Sequence, residues 1–357
     1  MIDQENITIE LLEKVSKANY AADKILVEKL IRALLLLEGL VKQNLNFIFK
    51  GGTAVMLLLN STWRLSIDVD IIIPERPENL DALLDIAAKE QGFLRNEPQQ
   101  RNGQSKIDKA HYKFYYAPVH NTGKDEEYVL LDILFEEVNY NKIVQIPIQS
   151  SFLPEDSDPL LVHAPCLEDI LGDKLTAFAP KTTGIPYFKS EDSMSMEIIK
   201  QLYDIGNLFD TVTDIEIIKS TFRRFVLTEL AYKEKLTLSE KDVIEDIFQT
   251  SLCIVTRGAD GNGDFEQLQQ GIQRVSRFIF SESYHLEKAI THASKAAYLA
   301  TLIRHDAKTI EKYANPDQMQ DWGIKEPMNQ RLQRLKRSNP EAFFYWYKIY
   351  ELTIQEN

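Results

Sequence analysis

The chain has 357 residues, of which 44% are hydrophobic and 27% charged, the composition of a soluble globular protein long enough for two cores. A net charge of −13 excludes a protein that coats duplex nucleic acid with its whole surface, because phosphate neutralisation dominates that kind of binding. A local basic cleft for an RNA end, or an oppositely charged protein partner, stays compatible with it.

The opening residues, Met1-Ile2-Asp3-Gln4-Glu5-Asn6, are acidic and polar, unlike a secretory leader. No apolar run of about 18 residues follows, so no membrane span is expected. Cys166 and Cys253 stand far apart and read as two reduced thiols. Together these features predict a cytoplasmic protein.

Residues 8 to 43 read as helical, with Leu26, Leu30, Ala33, Leu34 and Leu37 at helical spacing. Phe47-Ile48-Phe49 is a short strand leading into Lys50-Gly51-Gly52-Thr53, and Ala54 to Asn60 forms a buried helix. Arg64-Leu65-Ser66-Ile67-Asp68-Val69-Asp70 then enters a strand whose buried part is Ile71-Ile72-Ile73, stopped by Pro74. Leu80 to Gly92 is a helix with Gly92 as its C-cap. Tyr112 to Ala117 and Glu127 to Phe135 are strands around a polar loop, and shorter strands follow at Ile143 to Ile146 and Leu160 to Val162.

Past Cys166 the period changes to about 3.6. Helices are expected at 167–178, 197–209, 215–236, 239–256, 264–280, 283–314 and 328–355, with a turn at Gly258 to Gly263. The expected architecture is α+β: a mixed-sheet domain over residues 1–165, then a helical domain over 166–357 that carries Lys174 and Asp204.

The chemistry concentrates between Phe47 and Ile73. Asp68 and Asp70 are two residues apart on a strand and so face the same way. Adjacent like charges need a shared cation or solvent to stay ionised together. Mg²⁺, or Mn²⁺ in its place, is a hard ion that takes oxygen ligands along with waters and substrate phosphates. Gly51-Gly52-Thr53 offers backbone N–H groups at a helix N-terminus, a natural phosphate site. Each half has an ordinary alternative: Thr53 as a simple N-cap, and the two acids as solvated strand-end residues. Arg64 and Ser66 flank the acids; Ser66 could bond phosphate or orient a carboxylate, and Arg64 could neutralise phosphate or pair structurally.

This arrangement resembles the nucleotidyltransferase superfamily, with its G-[ST] followed a helix later by D-x-[DE]. The fuller pattern, G-G-T-A and then R-x-S-x-D-x-D, is similar to the abortive-infection nucleotidyltransferase toxins of the AbiEii/AbiGii family. Asp169 to Ala179, DILGDKLTAFA, is similar to the family's helix with a functional lysine, here Lys174. Lys200 to Leu208, KQLYDIGNL, is similar to its KDxYDLxxL helix and puts the functional aspartate at Asp204, with Gln201 where an acid is common. The resemblance covers roughly residues 45 to 210.

The resemblance implies a nucleotidyltransferase-like core, a nucleoside triphosphate as substrate and a metal held by Asp68, Asp70 and a third acid from a later strand. Asp132, an acid inside the apolar run of Glu127 to Phe135, is the candidate; by pattern alone it could equally face solvent on an edge strand. It also implies a tRNA or other RNA 3′ end as acceptor and a cognate antitoxin as partner. Transfer to a small molecule or a protein hydroxyl, and nucleotide binding without transfer, are the alternatives.

Lys174 lies in the middle of the apolar arc of Leu167, Ile170, Leu171 and Phe178. It must snorkel to water or meet an anion there, and triphosphate is the anion expected. Asp204 falls opposite the stripe of Ile198, Leu202, Ile205 and Phe209, where either a solvated or a cleft-facing carboxylate belongs. Pro180 to Pro186 contains Lys181 and Thr182, a composition suited to phosphate or ribose and equally to a plain connector. Near the end of the chain, Arg331, Arg334, Lys336 and Arg337 precede Phe343 to Tyr347, either an RNA contact or helix packing.

Overall fold

A computed structural model describes residues 7–59, 64–99, 108–120, 123–153, 158–325 and 330–354. The opening Met1–Asn6 and the expected helix end at Asn60 lie outside the described residues. The chain forms two compact units, one of Met1–Cys166 with Phe278–Ser283, the other of Leu167–Arg277 with Tyr284–Asn357.

The first unit begins with α1 (Ile9–Ala18) and α2 (Lys24–Lys42). The expected single helix is broken because Asp23 caps α2, accepting from the amides of Ile25 and Leu26. From Leu30 to Leu40 every residue of α2 is buried, and the charges among them are paired along the helix, Arg32 with Glu28 at 3.6 Å and Glu38 with Lys42 at 3.9 Å. There follow β1 (Ile48–Lys50), α3 (Gly51–Leu58), β2 (Val69–Ile72), α4 (Leu80–Glu90), β3 (Arg95–Pro98), β4 (Lys109–Tyr116) and β5 (Glu127–Leu134). The strands form one mixed sheet in the order β1-β2-β5-β4-β3, with β2 and β5 parallel and the other pairs antiparallel. Strand alternation separates its faces: Val129, Leu131 and Ile133 of β5 are buried, whereas Tyr128, Leu130 and Asp132 are half-buried. A hairpin of β6 (Ile143–Pro147) and β7 (Leu161–Pro165) completes the strands of this unit.

One segment departs from the expected helix at 264–280. The α-helix stops at Val275, a 3-10 turn covers Ser276–Phe278, and Phe278–Ser283 belongs to the first unit. There the Leu65 amide donates to the Phe278 carbonyl at 2.8 Å, Arg64 bridges Ile279, and Phe280 meets Phe152 edge-on at 5.6 Å. This pairing gives the Leu65 amide, which lies just before β2, its acceptor.

The second unit contains α5 (Leu167–Ala177), a two-residue hairpin of β8 (Phe188–Lys189) and β9 (Asp192–Ser193), α6 (Ser195–Thr211), α7 (Ile215–Tyr232), α8 (Glu240–Val255) and α9 (Phe265–Val275). It ends with α10 (Leu286–Arg304), α11 (Leu335–Ser338) and α12 (Pro340–Ile354). Helix α10 is its centre: all residues from Ala289 to Ile303 are buried, against α6, α8 and α12. Among the described residues no helix is long and apolar enough to cross a membrane.

Candidate functional site

The sheet register assembles one polar row. Lys50 pairs with Asp70, Asp70 with Asp132, and Asp132 with His111, across β1, β2, β5 and β4. Residues in register share a face, and neighbouring strands lie about 4.8 Å apart, so the two carboxylates are next neighbours. The row before it, Phe49, Ile71, Ile133 and Ala110, points to the core instead. Asp132 therefore sits on an interior strand, not an edge one, and on the polar face beside Asp70.

Asp70 also leans over the start of α3. Gly51 has φ of +79°, and a Cβ built there would meet Asp70 Oδ2 at 2.1 Å. Both backbone conformation and space thus demand glycine at that position. A Cβ on Gly52 would meet Arg64 Nη2 and Ser66 Oγ, each at 2.6 Å. Gly51, Gly52, Arg64, Ser66 and Asp70 are thereby brought together.

Thr53 is not an N-cap. The helix begins at Gly51, after Lys50, and the buried Thr53 hydroxyl donates to the Asp68 carbonyl at 2.6 Å. It links the glycine turn to the acidic segment. Asp68 itself precedes β2 by one residue, so this bond, not the ladder, holds its backbone.

The donors Asp68, Asp70 and Asp132 are all hard carboxylate oxygens, the chemistry Mg²⁺ requires. Among the described residues no three His, Cys, Asp or Glu side chains form a ready cluster. That is compatible with Mg²⁺, which commonly takes one or two carboxylates and completes its shell with waters and substrate phosphates. His111, which sequence reading missed, donates from Nδ1 to Asp132 Oδ1 at 2.6 Å. The expected strand began at Tyr112; β4 begins at Lys109, and only that start puts His111 in register with the acid.

In the second unit, Lys174 meets an anion, and it is Asp204. Their side chains are 8% and 5% exposed, with Nζ 2.7 Å from Oδ2, and Gln201 Oε1 accepts from the same ammonium at 3.3 Å. Of the two placements open to Asp204, the solvated one is excluded by this burial. Helix α6 buries Ile199, Tyr203 and Gly206 as well as its apolar stripe, leaving no outward side at that turn.

The loop holding Lys181 and Thr182 turns its donors inward. Both amides and the Thr182 hydroxyl donate to Asp246 Oδ2 at 2.8 to 2.9 Å, and Lys181 Nζ donates to Asn262. Burial pushes the Asp246 carboxyl up, opposed by these bonds. The connector reading accounts for every one of these contacts. The same holds at the C-terminus: Phe343, Phe344, Tyr345 and Trp346 are buried, Arg331 pairs with Asp260, and Lys336 bonds the carbonyls of Gln320 and Trp322.

Comparison with known proteins yields one family. The family model of the nucleotidyl transferase AbiEii toxin, of the type IV toxin–antitoxin system, matches residues 35–276. No curated protein matches the sequence. Among solved structures, JHP933 from Helicobacter pylori is 16% identical, with 78% of this chain and 90% of that one covered at a TM-score of 0.39. An antigenic nucleotidyltransferase-like protein from Paracoccidioides brasiliensis is 16% identical, covering 60% of this chain and 89% of its own at a TM-score of 0.37. At such scores these likenesses add nothing to what the sheet of this chain shows by itself.

Proposed function

The chain belongs to the AbiEii family of nucleotidyltransferase toxins of type IV toxin–antitoxin systems, and we propose that it transfers a nucleotide from a nucleoside triphosphate to an RNA 3′ hydroxyl, tRNA being the expected acceptor. A cognate antitoxin would restrain this activity in the cytoplasm. The observation that carries the reading is the register pairing of Asp70 with Asp132 beside the glycine turn at Gly51.

In the proposed reaction the acceptor oxygen bonds to the α-phosphorus, the bond from that phosphorus to the α–β bridging oxygen breaks, the hydroxyl proton passes to water, and pyrophosphate leaves. Asp68, Asp70 and Asp132 would hold Mg²⁺ or Mn²⁺, which when bound offsets negative charge on the phosphoryl oxygens. The Gly51-Gly52 backbone with Arg64 and Ser66 orients phosphate; Thr53 sets the approach of the Asp68 backbone. For Lys174 and Asp204 the assignment rests on motif order: the lysine supplies positive charge for transfer, and the aspartate holds its ammonium in place.

The test is incubation of the full chain with each α-labelled triphosphate, Mg²⁺ and total RNA. Label should enter RNA bearing a free 3′ hydroxyl, be lost when that hydroxyl is blocked, and be lost in Asp70→Asn. Equal labelling of blocked RNA would overturn terminal transfer, and label in protein alone would make a protein hydroxyl the acceptor.

A further inference from the structure

We propose that His111 is a positioning residue that fixes the carboxylate of Asp132 for metal binding; this rests on the metal role given to Asp132 above. Three features support it. His111 and Asp132 are register partners on adjacent antiparallel strands, and Asp70 is the register partner on the other side of Asp132. The His111 Nδ1 to Asp132 Oδ1 distance is 2.6 Å. The two side chains are 15% and 30% exposed, so the pair lies on the half-buried polar face of the sheet, beside Asp70.

A carboxylate oxygen is an acceptor, so in this hydrogen bond Nδ1 is the donor. The histidine's backbone is held in turn, its carbonyl accepting from the Gln99 amide at 2.6 Å. A side chain fixed at one oxygen keeps its orientation toward its neighbour in the row, and an ion arriving there need not freeze that torsion itself. Carboxylate ligands are commonly oriented by such outer hydrogen bonds, and removing them weakens metal binding.

The experiment is equilibrium Mn²⁺ binding to the full chain without nucleotide, with free ion read by electron paramagnetic resonance and folding followed by thermal melting. His111→Ala should weaken Mn²⁺ binding by about 10–100-fold. His111→Asn, whose amide reaches the place of Nδ1, should retain most of the affinity, whereas His111→Gln, whose amide reaches the place of Nε2, should behave like alanine. Melting should change little across the three, since a part-exposed pair contributes only modestly to stability. Unchanged Mn²⁺ affinity in His111→Ala, with loss in Asp132→Ala, overturns the positioning role and leaves the metal reading standing. Equal loss in the asparagine and glutamine variants also overturns it. Wild-type affinity in Asp132→Ala would remove the metal reading itself.

Discussion

For Lys174 and Asp204, the proposed chemical role has to be separated from a part in folding. The pair is buried and 2.7 Å apart, so removing one partner strands the other's charge away from water. Such a loss costs about 3–5 kcal/mol. It is comparable with Leu171→Ala at the fully buried position on the same helix, about 2–5 kcal/mol. Lys174→Ala should therefore destabilise the helical unit about as much as Leu171→Ala in urea unfolding, and low activity alone would not prove a chemical role. The double variant Lys174→Met with Asp204→Leu separates the two. It should recover most of the stability, because well-packed apolar replacements of a buried pair are often neutral or better, and it should still fail to transfer label. Recovered transfer would make the pair purely structural. Sequence pattern placed Lys174 on its buried arc, but it could not find its partner. A helix buried on more than one side has no polar face for periodicity to reveal.

At the scale of elements, the approach of α6 to α10 is set by Gly206 and His292. A Cβ on Gly206 would meet the His292 ring at 2.1 Å, and Tyr203 and Tyr284 pack on the same ring at 5.6 and 5.5 Å. His292 is buried, and its Nδ1 has no hydrogen-bond partner among the described residues. Burial holds its basicity well below the ordinary histidine range; Lys295 and Lys288 add to this and Asp204 opposes it. The folded chain keeps the ring neutral, while the unfolded chain takes up a proton below about pH 6.5. Protonation of this histidine therefore takes nothing from stability above that pH. As pH falls further, stability declines by up to about 1.4 kcal/mol per unit until the folded ring protonates. Melting of the helical unit should fall between pH 6.5 and 5, and His292→Met should flatten that decline. The same slope in the variant would assign the acid sensitivity to other groups. No motif pointed to this contact, since a lone histidine in an apolar helix carries no signature of what it meets.

For the molecule as a whole, the change of hydrophobic period near residue 166 made the switch from strands to helices legible. The glycine turn and acidic motif were legible as well, because they are local. What the chain conceals is long-range pairing. The neighbours Asp132 and His111 depend on strand order and on a strand start three residues earlier than its apolar pattern suggests. The return of Phe278–Ser283 to the first unit depends on a partner more than 200 residues upstream, invisible to any window of periodicity. That return makes a distinct prediction. Phe280 packs on Phe152 and on the core of the first unit while lying, in sequence, amid the helices of the second. Phe280→Ala should cost about 1–3 kcal/mol, less than a fully buried phenylalanine because Phe280 is only partly buried. The loss should appear in the α/β unit. Hydrogen exchange read by mass spectrometry should quicken in peptides spanning 64–73 and 146–153, where Leu65 and Phe152 contact the segment, and hold steady in α9, 265–275. Quickening confined to α9 would mean that the segment belongs energetically to the helices it follows, and that the first unit is complete without it.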